Sequence, residues 1–403
     1  MKKALSIILP LCITIAILFS AVSCGKTGDD GKDKSNIVYE YDESGNKTKE
    51  SHYDADGKLK LTKLSSYADG KFMGYYVCEY DENEKAVKES NYSVDDKLIG
   101  YYIPEYGENG KITKVSYYDA DDKFKHYNIY EYDANGNRTK MSGYGAEGNL
   151  NNVCEFDENE KMAKMSIYNA DGKLIDVYEY DKNGNKTKQS TYDNGNLKRV
   201  LEYDASGNMT KQSIYDADGK LKHYSTYEYN ANGNKTKESS YDANGNLSYV
   251  SEYDENGNRI KSSDYIDGKL KYISEYDANG GCIRSSNYNY NDGMLTDVYD
   301  YDGNGKETKY SVYDDDGKLK NYYTYEYDAK GNMIKENGYD ADGKFESYSV
   351  CEYDANGNRI KKSVYNADGK LTHYFISEYD ANGKETKIST YDAYGRLLYS
   401  KVL

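Results

Sequence analysis

Apolar and polar residues alternate along most of this chain, and short polar clusters with glycine interrupt the alternation at regular intervals. In residues 221–229, Leu, His, Ser, Tyr and Tyr occupy one set of alternate positions, and Lys and Glu lie in the other. A period of two is typical of a β-strand whose two faces differ. We therefore predict that residues 37–403 are all-β, an elongated antiparallel β-hairpin repeat array whose sheet meanders, twists or spirals.

The glycine-containing clusters have the chemistry of hairpin turns. Asp133 and Gly136 are three residues apart, which suits a type I turn that Asp begins and that Gly ends with a positive φ. Shorter clusters that end at Gly70, Gly195 and Gly268 lack one residue, a length change that loops tolerate. Because a positive φ is unfavourable for residues with a side chain, we expect distorted or longer turns where an acidic residue replaces Gly. These positions are Glu84, Asp96, Asp122 and Glu160.

A tandem repeat organises the same region. A Glu-Tyr-Asp marker or a close variant recurs at nearly constant spacing, and a Ser-x-Tyr segment falls about midway in most intervals. Such a period indicates an array whose contacts join neighbouring units, so that one unit cannot fold alone. The marker aromatics are Tyr41, Tyr80, Tyr106, Tyr132, Phe156, Tyr180, Tyr203, Tyr229, Tyr253, Tyr276, Tyr301, Tyr327, Tyr353 and Tyr379.

Composition limits the core and the partners. The chain has 51 Tyr, 36 Gly, 6 Phe and no Trp, and its formal net charge is −16 at pH 7. Because aliphatic side chains are scarce, apolar burial must come largely from tyrosine, and we expect no conventional globular core. The negative charge repels nucleic acid, so we expect no nucleic-acid partner.

The first residues have the layout of a secretory signal. A basic pair, Lys2 and Lys3, precedes an apolar run, and small residues lead to Cys24. The end of this segment resembles a bacterial lipobox, which implies cleavage after residue 23 and lipid attachment at Cys24; the alternative is ordinary signal cleavage nearby. Residues 25–36 contain no apolar side chain, so residues 24–36 are expected to be the lipidated cysteine and a flexible tether. We therefore expect an exported protein, lipid-anchored at the bacterial cell surface, on the cell membrane or the outer membrane.

The turn sequences carry a family resemblance. Tyr-Asp-Ala-Asn-Gly-Asn-Arg at residues 132–138 and 353–359, and Tyr-Asp-Ala-Asp-Gly-Lys-Leu at residues 53–59 and 215–221, resemble the tyrosine-aspartate (YD) repeats of the RHS family. The resemblance extends over nearly all of residues 37–403, and it implies a long β-sheet that coils into a spiral or a hollow shell, often around a toxin domain. A proline-rich core motif and a C-terminal cargo domain are not found, so we do not expect toxin delivery. Because the repeat has only fourteen marker aromatics, we expect an open or loosely coiled sheet rather than a closed shell.

Histidine and cysteine, two residue types that serve catalysis, recur at equivalent positions of the repeat and do not cluster at one site. Three histidines share one repeat position and three cysteines share another: His126, His223 and His373, and Cys78, Cys154 and Cys351. Equivalent positions lie several repeats apart, too far for a disulfide or for a nucleophile and its base. We therefore predict free thiols and no enzymatic activity.

Tyrosine rings are the candidate binding groups, because a flat apolar face with a hydroxyl suits a carbohydrate or a protein ligand. The alternative is that the rings mostly pack on each other. The candidate binding residues are Tyr132, Tyr180, Tyr227, Tyr229, Tyr253, Tyr327, Tyr353 and Tyr379.

Calcium is a candidate ligand of the acidic turns. Carboxylate and amide oxygens suit calcium, although the spacing differs from that of an EF-hand and turn formation explains the same residues. We expect no cofactor, with calcium as the alternative. The function that follows is a surface-anchored lipoprotein whose Tyr-rich repeat is a structural or ligand-binding module. The alternatives are a calcium-dependent adhesin or wall-associated module, and a remnant of an RHS-type toxin-encapsulating shell.

Overall fold

The computed structural model describes residues 36–403. The expected signal segment, Cys24 and all of the tether except Asn36 lie outside the described residues, so those expectations stay predictions. Within residues 36–403, no helix is long and apolar enough to span a bilayer.

The described residues are all-β and fall into two compact units, residues 36–99 and residues 100–403, with the division inside strand β6. The first strands are β1 (Ile37–Tyr41), β2 (Lys47–Tyr53), β3 (Leu59–Ala68), β4 (Lys71–Tyr80), β5 (Ala86–Tyr92) and β6 (Leu98–Tyr106). The following strands are β7 (Ile112–Asp119), β8 (Phe124–Tyr132), β9 (Arg138–Gly145), β10 (Leu150–Phe156), β11 (Met162–Tyr168), β12 (Leu174–Tyr180), β13 (Lys186–Asp193), β14 (Asn196–Tyr203), β15 (Met209–Tyr215), β16 (Leu221–Tyr229), β17 (Lys235–Asp242) and β18 (Leu247–Tyr253). The last strands are β19 (Arg259–Ile266), β20 (Lys269–Tyr276), β21 (Cys282–Tyr288), β22 (Leu295–Tyr301), β23 (Glu307–Tyr313), β24 (Leu319–Tyr327), β25 (Met333–Asp340), β26 (Phe345–Tyr353), β27 (Arg359–Asn366), β28 (Leu371–Tyr379), β29 (Glu385–Asp392) and β30 (Leu397–Val402).

Within each unit, every strand pairs antiparallel with its neighbours in the chain. In the first unit the ladders join β1 to β5 in order. In the second unit they join β6 to β30 in order, as when Ser225 faces Ser240 and Thr226 faces Ser239 between β16 and β17. The sequence-based prediction of an antiparallel hairpin array is therefore confirmed.

The turns have the predicted geometry. The Asp133 N–H donates to Asn137 O at 3.0 Å, and the Gly136 N–H donates to Asp133 O at 3.1 Å. Gly136 has φ 85°. In the shorter turn after β13, Asn194 has φ 51° and Gly195 has φ 89°. Two successive positive φ values are those of a type I′ turn, which matches the twist of a two-residue hairpin.

The expectation of distorted turns at the acidic replacements is wrong. Glu84 and Glu160 adopt φ of 58° and 56°, and Asp96 and Asp122 adopt 59° and 63°. The Glu160 N–H still donates to Asp157 O at 3.0 Å, as Gly does in the other turns. A left-handed residue with a Cβ costs about 1 to 2 kcal/mol. The paired strands on both sides of each turn impose its geometry and offset that cost.

Small polar residues, not tyrosines, fill the buried positions. Most of the buried polar side chains are serines, with exposures of 1 to 8%, and Val177, Val200, Val250 and Val298 are buried beside them. Tyr75 is the one tyrosine in the buried set of the described residues, at 9% exposure. The sheet thus has no conventional globular core. Instead, the long side chains of the sheet cover a layer of small side chains.

Candidate functional site

One face of the second unit's sheet carries the Ser and Tyr of each Ser-x-Tyr segment, and we call it the serine face. On β27, alternation places Lys361, Ser363 and Tyr365 on this face. Lys361 Nζ lies 3.0 Å from a carboxylate oxygen of Glu352 on β26, and Ser363 is 4% exposed between Val350 and Tyr374. The serine face therefore has three parallel rows, which are ion pairs, small buried residues and tyrosines.

Tyrosines of neighbouring strands stack in pairs beside the row of small buried residues, which we call the serine row. In seven pairs of the described residues the ring centroids are 4.6 to 5.0 Å apart and the ring planes differ by 6 to 11°. The separation of the two partners along the chain is the same in every pair. The pairs are Tyr75–Tyr92, Tyr101–Tyr118, Tyr127–Tyr144, Tyr224–Tyr241, Tyr322–Tyr339, Tyr348–Tyr365 and Tyr374–Tyr391.

Sequence reasoning missed these pairs, although the repeat length marks them. In the second unit, a pair occurs wherever two Glu-Tyr-Asp markers stand at their widest spacing, as Tyr327 and Tyr353 do. The strand that ends at the second marker then has nine residues. Where the markers stand closer together, that strand has seven or eight residues and no tyrosine faces the Ser-x-Tyr ring. In such a repeat, β10 and β11, the pairing begins at Asn152 opposite Ile167, the residue before Tyr168.

Phenylalanine joins neighbouring pairs into longer ladders. The Phe345 ring centroid lies 5.6 Å from that of Tyr339 and 6.2 Å from that of Tyr348. Phe124 joins Tyr118 to Tyr127 at 5.5 and 6.2 Å. Two ladders of five rings result. The two ladders run across the sheet, perpendicular to its strands.

The opposite face carries the Tyr of each Glu-Tyr-Asp marker, and we call it the Glu-Tyr-Asp face. The Tyr327 hydroxyl donates to the backbone oxygen of Glu307 at 2.7 Å, 20 residues earlier, and Lys306 Nζ lies 5.3 Å from the Tyr327 ring centroid. Burial raises the pKa of Tyr327 above its ordinary value. The phenol therefore stays a neutral donor, and the hydrogen bond and the ammonium group hold the ring against the sheet.

The structure half-buries all eight tyrosines that we predicted as binding residues. The hydroxyls of five donate to a backbone oxygen 20 residues earlier, at 2.7 to 3.0 Å: Tyr132, Tyr229, Tyr327, Tyr353 and Tyr379. Tyr253 donates to a Glu238 carboxylate at 3.4 Å, and Lys235 Nζ lies 4.5 Å from its ring centroid and 5.7 Å from that of Tyr227. Burial raises the pKa of Tyr180. The eight residues recur along one face and do not converge on one site.

The acidic residues that replace Gly in four-residue turns have side-chain partners. Glu160 accepts the Arg138 N–H at 3.0 Å, and Glu84 accepts the Leu59 N–H at 3.1 Å. Asp96 and Asp122 each hydrogen-bond to a stacked tyrosine, Tyr75 and Tyr101, whose pKa values are raised, with burial the main cause. The partner lies on an adjacent turn or strand, so it could not be inferred from local sequence.

Where a turn begins with Asp, the carboxylate of that Asp accepts hydrogen bonds from the same turn. Asp133 Oδ1 accepts the N–H groups of Asn135 and Asn137 at 2.9 and 2.8 Å, and Oδ2 accepts the Asn137 amide at 3.2 Å. Mainly through the Asn137 backbone hydrogen bond, the pKa of Asp133 is lowered. Within residues 36–403, no group of three Asp, Glu, His or Cys side chains is placed to hold a metal ion.

The cysteines and histidines lie where copying of a repeat puts them. Cys78, Cys154 and Cys351 form no disulfide within residues 36–403, as predicted, and neither does Cys282. Burial is the main reason that the pKa of Cys78 rises to about 11, which keeps it an unreactive thiol. His126 stacks on Tyr117 with a centroid distance of 4.2 Å.

Comparisons with known proteins give one family match and weak structural likenesses. Residues 144–192, 218–264 and 346–391 match the model of a family described as "Protein of unknown function (DUF2963)". No curated protein matches the chain.

Among solved structures, the chain is similar to a Photorhabdus luminescens Tc holotoxin pore, with 12% identity and a TM-score of 0.24, covering 90% of this chain and 24% of that one. It is also similar to the TcdB2-TccC3 crystal structure, with 14% identity and a TM-score of 0.16, covering 90% of this chain and 25% of that one. A porin-like protein from Bacteroides uniformis is 13% identical with a TM-score of 0.17, covering 76% of this chain and 91% of that one. The chain thus spans about a quarter of the length of the toxin chains it matches.

Proposed function

We propose that the chain is an exported lipoprotein, anchored through Cys24 at the bacterial cell surface, whose repeat sheet is a structural scaffold. The observation that supports the scaffold is that each strand inside the second unit is hydrogen-bonded on both sides by its neighbours in the chain. Strands in a sheet are about 4.8 Å apart, so β7 to β30 extend for about 110 Å along the contour of the sheet. Such a sheet can hold a bound group far from its point of attachment.

Side chains that bond to other groups of the same chain favour a scaffold over an enzyme. Tyrosine hydroxyls such as that of Tyr327 bind backbone oxygens, stacked rings such as Tyr348 and Tyr365 contact each other, and lysines such as Lys361 pair with glutamates. A catalytic group needs a free lone pair or proton directed at a substrate. We therefore propose no catalytic activity and no cofactor. As part of the same proposal, we assign the repeat to the tyrosine-aspartate repeats of the RHS family, on the resemblance of its turn sequences.

Partner binding by the Glu-Tyr-Asp face is the second candidate. After the hydroxyl of Tyr327, Tyr353 or Tyr379 has bonded to the backbone, the ring is still half-exposed. A half-exposed ring with an ammonium group beside it, as Lys306 lies beside Tyr327, suits a protein partner better than a sugar, which stacks on an open ring face. We propose a protein ligand for this row.

The anchoring proposal is tested by comparing the natural chain with Cys24→Ser in a bacterial host. We expect the natural chain in the detergent phase after phase separation, with incorporation of labelled palmitate, and C24S in the aqueous phase without label. Protease added to intact cells should digest the natural chain. Equal partitioning of the two chains would contradict lipid anchoring without affecting the scaffold.

The partner proposal is tested by replacing Tyr327, Tyr353 and Tyr379 together. Because the ring provides the contact, a triple Phe variant should retain a cross-linked surface partner and a triple Ala variant should lose it. Circular dichroism must show a folded sheet in both variants. Retention of the partner by a folded Ala variant would contradict the proposal.

A further inference from the structure

We propose that the stacked tyrosine pairs of the serine face are sites of oxidative cross-linking, at which two rings of neighbouring strands join as dityrosine. The substrate is the protein's own phenol pair, and the co-reactant is hydrogen peroxide acting through a haem peroxidase. This inference does not depend on lipid anchoring or on a partner.

The geometry of the pairs supports the reaction. Tyr348 and Tyr365 face each other across β26 and β27, with ring centroids 4.6 Å apart and planes within 7°. Both side chains leave the same face of the sheet from opposing positions. The two phenol rings are therefore held in contact, face to face, before any oxidation occurs. Holding two reacting groups in this way replaces an encounter in solution by a unimolecular step.

The reaction balances with peroxide as the oxidant. The peroxidase removes one electron and the phenolic proton from each ring, and the two radicals form a carbon–carbon bond between positions next to the hydroxyls. The hydrogens displaced from these carbons move to the oxygens and restore both phenols. Two tyrosines lose two electrons and two protons in total, which reduce one hydrogen peroxide to two waters.

The chain contains its own matched controls. Six Ser-x-Tyr tyrosines of the second unit have the same strand position as the paired rings and a serine two residues before them, but no aromatic ring stacks on them within residues 100–403. They are Tyr168, Tyr192, Tyr215, Tyr265, Tyr288 and Tyr313. A reaction that depends on tyrosine exposure alone would treat the two sets equally. A reaction that depends on stacking would use only the pairs.

The experiment treats the dilute full chain with a haem peroxidase and hydrogen peroxide and maps cross-linked peptides by mass spectrometry. We expect intrachain links between the two partners of each stacked pair, such as Tyr348 with Tyr365 and Tyr374 with Tyr391. Each linked product should be lighter by two hydrogens than the separate peptides. Because of proximity, the yield of these links should exceed that of links to the six unstacked tyrosines by roughly tenfold or more. No dityrosine, links mainly between chains, or equal use of the unstacked tyrosines would each overturn the proposal.

Two variants separate the proposal from general oxidation. Tyr365→Phe keeps the ring and the fold, and should abolish only the link to Tyr348. Asn151→Tyr adds a ring next to Asn152, which faces Ile167 beside Tyr168, and should create a new link to Tyr168 if the repeat supplies the geometry. Loss of every link in the first variant, or no new link in a folded second variant, would contradict the assignment.

Discussion

The carboxylate Oε1 of Glu160 accepts a hydrogen bond from the backbone N–H of Arg138, 3.0 Å away and 22 residues earlier. Glu160 ends the turn after β10, whereas Arg138 begins β9 after the preceding turn on the same edge of the sheet. The residue that departs from the glycine pattern thus satisfies a backbone group of a neighbouring turn.

This hydrogen bond should protect one amide. In Glu160→Ala, the Arg138 amide loses its acceptor and should exchange with deuterium about fivefold faster, since a hydrogen bond of this kind contributes about 1 kcal/mol. Glu160→Gln keeps an acceptor oxygen and the same Cβ strain, so it is the matched control. Equal exchange in the two variants would show that Glu160 does not protect the amide.

The serine row should tolerate removal of the hydroxyl but not added volume. Ser190 is 5% exposed and faces Val177 and Val200 on the two neighbouring strands. We expect Ser190→Leu to destabilise the sheet by about 1 to 3 kcal/mol, because a branched side chain must displace its neighbours. Ser190→Ala should have a much smaller effect. Urea unfolding followed by circular dichroism checks both, and a Leu variant as stable as Ala would mean that the row has spare space.

Stability should fall in acid because the turn aspartates are hydrogen-bonded as carboxylates. Their pKa values in the folded chain lie below the ordinary value of 3.8. A lowered pKa contributes stability that is complete above the unfolded value and is lost as the pH falls through the folded value. The melting temperature should therefore be nearly constant from pH about 7 to about 5 and fall below about 4.

Asn at the same turn position gives the control for the acid effect. Asn169 accepts the N–H groups of Asp171 and Lys173 at 3.0 and 2.9 Å, so an amide oxygen forms the same turn. Replacing Asp133 and Asp181 by Asn should leave the turns intact and reduce the slope of the melting temperature in acid. An unchanged slope would assign the acid effect to other carboxylates.

Calcium should not stabilise the sheet. In the turns of the type shown by Asp133, the oxygens of the first Asp accept hydrogen bonds from the turn, and binding a cation would require breaking them. We expect the same melting temperature with millimolar calcium and with a chelator. A rise with calcium that a chelator reverses would instead support the calcium-dependent adhesin.

The strands, the turns and the repeat follow from the amino-acid sequence because they depend on local chemistry. The alternation in residues 221–229 predicts a strand, and the spacing of Asp133 and Gly136 predicts the turn after β8, since backbone conformation is set by residues close in the chain. The same local reasoning failed at Glu84 and Glu160. There the paired strands, which are a tertiary feature, hold a conformation that the residue alone disfavours.

The tertiary structure alone decided which side chains meet across strands. The Tyr of a Ser-x-Tyr segment stacks on a ring where the preceding strand has a tyrosine opposite it, as Tyr348 is opposite Tyr365. The strand before Tyr168, β10, has no tyrosine. A longer strand keeps the two faces in place but brings a different residue into register. The burial of the serines has the same origin, because small residues are covered only when longer side chains from neighbouring strands close over them.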